Sequence, residues 1–166
     1  ILLTSTELEK RNRRLNTFNT LKTLIDHGVI PVINENDTIV TNEIKVGDND
    51  TLSALVSSLI DADLLIMLSD IDGLYTTDPR HNKGAELISE VEEISEVEAV
   101  ASGAGSSRGT GGMKTKIEAA KIATKAGIPM IISNGKEDNI LTRIAAGEDL
   151  GTTFLPEEGL TSRDKW

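Results

Sequence analysis

Residues 64–68 are five consecutive apolar side chains, Leu64, Leu65, Ile66, Met67 and Leu68. A strand covered on both faces carries such a run, whereas a strand with one wet face alternates apolar and polar residues. Residues 29–33 and 128–132 are also largely apolar, and each follows a glycine, Gly28 or Gly127. Both are therefore read as buried strands that begin where a helix has stopped. This feature limits the fold more than any other, because doubly covered strands need helices on both faces.

The segments between these runs supply the helices. Thr4 and Glu7 stand at capping-box spacing, and Leu8, Leu15, Phe18, Leu21, Leu24 and Ile25 follow a helical period, so residues 4–28 predict a long helix ending at Gly28. Leu52, Leu55, Val56, Leu59 and Ile60 form one apolar stripe, which predicts a helix over residues 50–62. Ile117, Ala120, Ile122 and Ala123 do the same for residues 113–126, with Gly127 as the stop. A short strand and then a helix near residues 95–101 are expected within the acidic stretch that starts at Glu86. A short helix over residues 138–146 and a strand over residues 152–155 complete the reading. Residues 34–50 and 69–84 read as polar loops, the first with a short hairpin near residues 41–46. The alternation predicts an α/β fold, a three-layer α/β/α sandwich with a mostly parallel sheet. Ligands bind beyond the carboxyl ends of such strands, where the loops after Ile33, Leu68 and Ile132 are expected to gather. One domain is expected over residues 1–155, with residues 156–166 a polar tail or linker.

Composition narrows the functions. Aromatic residues are only 2%, so the core has to come from Leu, Ile, Val and Ala. The net charge of -10 argues against a nucleic-acid-binding domain, which would need a basic patch. A small nucleotide site remains compatible, since it needs only one or two placed cations. The absence of cysteine excludes a disulfide framework, a cysteine zinc site and a thiol nucleophile. His27 and His81 are too far apart for the common histidine metal motifs, and no metal-ligating residue is assigned. No apolar run nears the ~18 residues of a membrane span. No signal peptide is visible, and a cytoplasmic setting is the default.

Four polar constellations stand next to the predicted elements. Asn34-Glu35-Asn36-Asp37 follows a predicted strand; its amides and carboxylates suit either a turn or the polar ends of an amino acid. Gly47-Asp48-Asn49-Asp50 precedes a helix, where one residue is needed as a cap. The surplus side chains suit a carboxylate near Asn49, with Asp48 or Asp50 on its amino group. Ser69-Asp70-Ile71-Asp72-Gly73 ends the most apolar strand and is either a turn or part of the ligand crevice. Gly109-Thr110-Gly111-Gly112-Met113-Lys114-Thr115-Lys116 enters a helix. Its glycines allow close approach to phosphate oxygens, and a lysine can follow the charge on a transferring phosphoryl group. Neither the Walker A spacing nor G-x-G-x-x-G can be drawn through it, so alone it is also a plain glycine-rich turn. No serine–histidine–aspartate arrangement is suggested, and phosphoryl transfer needs none.

Taken in order, these segments resemble the glutamate 5-kinase family. The resemblance lies in Val32-Ile33-Asn34-Glu35-Asn36-Asp37, in Lys45-Val46-Gly47-Asp48-Asn49-Asp50 with Leu52-Ser53-Ala54-Leu55, in Leu68-Ser69-Asp70 with Gly73-Leu74-Tyr75-Thr76 and Asp78-Pro79-Arg80, and in Gly109-Thr110-Gly111-Gly112-Met113 with Thr115-Lys116. It runs from the first helix to about Leu155. It implies the amino-acid-kinase (carbamate-kinase-like) fold and Mg-ATP-dependent phosphorylation of L-glutamate to glutamyl 5-phosphate, the first step of proline synthesis. Asp37, Asn49 and Asp50 match glutamate-binding residues, flanked by Asn34 and Asp48. Ser69 and Asp70 match the nucleotide-binding strand end, with a serine where threonine is common. Gly109, Thr110, Gly111, Gly112, Met113, Lys114, Thr115 and Lys116 match the loop around the ATP phosphates. Lys116 matches the lysine on the transferring phosphoryl group and, with Asp50, is the expected catalytic pair; Lys114 occupies a variable position and is given no catalytic role. The resemblance also implies inhibition by proline and a homo-oligomer.

The family's opening strand, its first phosphate turn with a lysine, and an upstream serine-bearing loop have no counterpart before Ile1. The fold is thus expected to be incomplete at the N-terminus, and residues 1–166 alone are expected to turn over little. Ser162-Arg163-Asp164-Lys165-Trp166 resembles the start of the linker to a C-terminal RNA-modification-type domain that many members carry. Two other readings remain: a sibling kinase acting on acetylglutamate, aspartate, carbamate or UMP, and a non-catalytic module that binds glutamate or proline.

Overall fold

The protein is described from a computed structural model, covering residues 1–4, 8, 10–36, 49–103 and 110–157. The elements, in chain order, are β1 (Leu2–Leu3), α1 (Arg11–Asp26), β2 (Asn34–Glu35), α2 (Asn49–Ile60), β3 (Leu65–Ser69), β4 (Glu90–Val91), α3 (Ile94–Gly103), α4 (Thr110–Lys125), β5 (Met130–Asn134), α5 (Ile140–Ala145) and β6 (Thr152–Phe154). β1 and β2 form a parallel pair, and the other strands form a sheet in the order β3-β5-β6-β4. In that sheet β3 runs parallel to β5 and β4 parallel to β6, while β5 and β6 are antiparallel. The expected α/β fold with a mostly parallel sheet is what forms.

Two hydrophobic cores hold the elements together. The larger joins Leu65 and Met67 of β3, Met130 and Ile132 of β5, and Phe154 of β6 to Ala54, Ile117, Ala119, Ala120 and Ala123 of the helices. The smaller joins Leu3 and Leu8 to Leu21 of α1 and to Leu52, Val56 and Leu59 of α2. Helix ends follow the glycine signals. At the end of α4, Gly127 takes a φ of +73, and the amide of Ile128 donates to the carbonyl of Ala123. This left-handed closure is cheap only for glycine. Gly28 closes α1 in the same way.

Several sequence expectations shift. Residues 29–33 do not form a buried strand: Ile30 is 87% and Val32 79% exposed. Their neighbour is the short β1 segment, which pairs only with Asn34 and Glu35; just before it the nitrogen of Ile1 donates to the carbonyl of Val32. Pro31 also has no amide hydrogen to donate. The predicted strand at residues 128–132 moves on by two, because Ile128 is used in the cap of α4 and Pro129 accepts from Leu65. The helix expected over residues 4–28 starts at Arg11, and Glu7 of the supposed capping box lies outside the described residues. The helix expected from Met113 already starts at Thr110, so part of the glycine-rich segment is helical. The expected hairpin near residues 41–46 also lies outside the described residues.

β6 enters between β5 and β4 through Gly151, whose φ is +89 and where a Cβ would collide with the carbonyl of Ile132. The next residue, Thr152, is fully buried. Its hydroxyl accepts from the Leu74 amide at 2.7 Å and donates to the Ile88 carbonyl at 2.6 Å. It thereby fastens the long connection between β3 and β4 to the sheet. Thr152→Val keeps the shape but leaves both backbone groups without that partner. It is expected to cost about 2 kcal/mol or more in urea unfolding, with the slope against denaturant unchanged.

Candidate active site

The carboxyl ends of β3 and β5 lie side by side, since Ser69 is in register with Asn134. The loops expected after Leu68 and Ile132 therefore meet, while most of the loop after Ile33 lies outside the described residues. The Gly135 amide donates to the Ser69 carbonyl at 2.8 Å, and the Ser69 hydroxyl donates to Asp70 Oδ1 at 3.3 Å. Asp72, one turn further on, is held from two sides. Asn134 Nδ2 donates to its Oδ1 at 2.8 Å and the Tyr75 hydroxyl to its Oδ2 at 2.9 Å. Asn134 Oδ1 in turn accepts from the Lys136 amide at 3.0 Å. The sequence reading placed Ser69 and Asp70 at this rim but missed Asn134, which lies beyond the run of residues 128–132. The register of two parallel strands is the missing information.

Hydrogen bonds to a carboxylate favour its charged form. The bond from Asn134, and after it the bond from Tyr75, holds the Asp72 carboxyl below the usual carboxylate range. The same contact with Asp72 raises the Tyr75 phenol. Further along the loop, Arg80 makes a two-pronged contact with Asp78, which lowers the Asp78 carboxyl to about 2.

The second half of the site lies where two helices start. Asn49 and Asp50 form the first turn of α2, where the exposed amides of the helix end favour a carboxylate. Thr115 and Lys116 lie in the second turn of α4, which packs against α2. Lys116 Nζ sits 2.9 Å from Asp50 Oδ2, and both side chains are largely withdrawn from solvent, at 14% and 19% exposure. The Thr115 hydroxyl donates to the same Asp50 oxygen, also at 2.9 Å. The structure thus brings together Asp50, Thr115 and Lys116, residues 65 and 66 positions apart in the chain. Lys114 is exposed, whereas Met113 is partly buried against the larger core. Asn34 is exposed in β2, and Asn49 is exposed at the start of α2. Thr110, Gly111 and Gly112 form the first turn of α4. Asp37, Asp48 and Gly109 lie outside the described residues.

Chemically, a partly desolvated ammonium at a helix start is suited to phosphate oxygens, and a carboxylate against it fixes where it points. Among the described residues no group of three or more histidine, aspartate or glutamate side chains is placed to hold a metal ion. No helix among them is long and apolar enough to cross a membrane.

The profile of the amino acid kinase family matches residues 1–134. Over its whole length the chain is 58% identical to a protein named glutamate 5-kinase from Caldanaerobacter subterraneus, of which it covers 45%. It is 56% identical to a glutamate 5-kinase from Herpetosiphon aurantiacus, with 99% of the chain and 45% of that protein covered. The chain thus spans less than half the length of these curated relatives. Among solved structures, UMP kinase from Bacillus anthracis matches with a TM-score of 0.59 and 21% identity, over 89% of this chain and 52% of that one. Carbamate kinase from Giardia lamblia matches with a TM-score of 0.59 and 23% identity, over 84% of this chain and 44% of that one. At such identities the solved structures speak to the fold alone.

The chain has a single tyrosine, so phenolate absorbance reports Tyr75 directly. Its titration is expected above the ordinary value of 10.0 and to fall back toward it in Asp72→Asn. The Tyr75 contribution to stability is present below that ordinary value and is lost as pH rises through the raised one. The Asp72 contribution runs the other way: present above the usual carboxylate range, it is lost as pH falls through the lowered value.

Proposed function

The chain belongs to the amino acid kinase family, and on that premise we propose that it forms the C-terminal part of a glutamate 5-kinase domain. The reaction is ATP-dependent phosphorylation of the side-chain carboxylate of L-glutamate, giving glutamyl 5-phosphate for proline synthesis. The observation that carries the reading is the contact of Asp50 with Lys116, which ties the segment matched to glutamate to the segment matched to ATP phosphates. The identity of 58% to a named glutamate 5-kinase across the whole chain supports the same substrate.

In this mechanism a glutamate carboxylate oxygen attacks the γ-phosphorus in line as the bond to the ADP oxygen breaks. The carboxylate is already ionised at neutral pH, so no general base is required. Lys116 Nζ offsets charge on the transferring group, and Asp50 holds that ammonium in place. Asn34, Asp37, Asp48, Asn49 and Asp50 are assigned to glutamate. Ser69, Asp70 and the segment from Gly109 to Lys116 are assigned to the nucleotide. Mg2+ supplies further charge compensation when it arrives with ATP. The same reading places the protein in the cytoplasm, assembled with copies of itself and inhibited by proline.

The test is glutamate-dependent ADP release by the purified protein, with intact mass recorded beside it. A mass above 17.8 kDa identifies a longer chain in the sample. Lys116→Ala is expected to lower kcat by ~10²-fold or more. Turnover with N-acetylglutamate, aspartate, carbamate or UMP in place of glutamate would overturn the substrate assignment.

A further inference from the structure

Thr115 carries one hydroxyl proton and has two acceptors for it. Its oxygen lies 2.9 Å from Asp50 Oδ2 and 2.9 Å from the carbonyl of Gly112. The second contact is the ordinary one. A threonine inside a helix commonly turns back to a carbonyl of the preceding turn. The first is different in kind, because it crosses to another helix and ends on the oxygen that also receives Lys116 Nζ at 2.9 Å. A lysine head on four methylenes has several rotamers, and holding it to one costs side-chain entropy. A carboxylate that is itself free to rotate would hold it poorly. Two donors on Oδ2 from adjacent residues of one helix leave that carboxylate far less freedom. The main-chain carbonyl of Asp50 accepts from the Ser53 hydroxyl at 2.7 Å, a bond that belongs to the first turn of α2 and leaves the aim of the carboxylate to Thr115 and Lys116.

We propose that Thr115 is a positioning residue for phosphoryl transfer, aiming the Asp50 carboxylate and through it the Lys116 ammonium, rather than a residue that holds the nucleotide. The inference rests on the kinase reading given above, and it changes the assignment that the phosphate-loop resemblance suggests for this threonine. The hydroxyl reaches across to α2, and the Gly112 carbonyl offers it a second acceptor. Serine can make the same bond, and valine, of nearly the same shape, cannot.

The experiment compares Thr115→Val and Thr115→Ser by steady-state kinetics in the purified kinase. Thr115→Val is expected to lower kcat about tenfold and to leave the KM for ATP within about twofold. Thr115→Ser is expected to return kcat to within about twofold of the unsubstituted protein. A raised KM for ATP with kcat unchanged would put the hydroxyl on the nucleotide and overturn the proposal, as would an unchanged kcat in Thr115→Val. A second measurement needs no turnover. In urea unfolding, Thr115→Val and Asp50→Asn are expected to be coupled, the double variant departing about fivefold from the product of the two single effects on the unfolding constant. Independent effects would overturn the contact itself. Coupling in a protein that turns over N-acetylglutamate, aspartate, carbamate or UMP but not glutamate would count against the substrate reading and leave the contact standing.

Discussion

Ala54 and Leu52 lie two positions apart on α2 and enter different cores. A helix with one wet face would carry a single apolar stripe. Here Leu52, Val56 and Leu59 face α1 and β1, while Ala54 is fully buried in the core shared with α4. On α4 the matching positions are Ala119, Ala120 and Ala123, each without exposed surface. Small side chains let two helix backbones approach closely, since the contact distance depends on the residues between them. Asp50 stands four residues before Ala54, and Lys116 three and four residues before Ala119 and Ala120. Both polar groups thus lie on the same faces as the alanines, one turn nearer the helix starts. The alanine contact brings the two helices together, and the ion pair is the polar end of the same interface.

Much of the fold is legible in the sequence, because glycines and apolar periods act over short distances. Gly28 and Gly127 mark the ends of α1 and α4, and the run beginning at Leu64 marks β3. What the sequence hides depends on neighbours. Residues 29–33 have the composition of a buried strand, yet Ile30 and Val32 are exposed, because burial requires an adjoining layer and composition does not supply one. The antiparallel entry of β6 is equally hidden: nothing local to residues 152–155 states which way the strand will run. Only Gly151, pressed against the Ile132 carbonyl, hints at a sharp change of direction.

The candidate site divides in the same manner. Asp50 and Lys116 are expected from motif order, and they meet. Ser69 and Asp70 are expected at a strand end, and they are there. Asn134 escapes because it is an ordinary polar residue in the sequence and gains its role only from lying in register with Ser69. Thr115 is visible as part of the phosphate segment, but a hydroxyl in a glycine-rich run says nothing about a partner 65 residues earlier.

The position of β6 has a consequence for the order in which the molecule is made. Among the described residues it comes last in sequence but is an inner strand of the sheet, flanked by β5 and β4. Phe154 is wholly buried, and Thr152 fastens a connection synthesised some seventy residues earlier. During translation, β3, β5 and the helices emerge with a slot between β5 and β4 that no earlier segment fills. Apolar side chains lining that slot stay wet until residue 154 has left the ribosome. Long-range pairing of this kind is slow to form and leaves sticky surface exposed meanwhile. The sheet becomes continuous from β3 to β4 only when this strand takes its place in the middle.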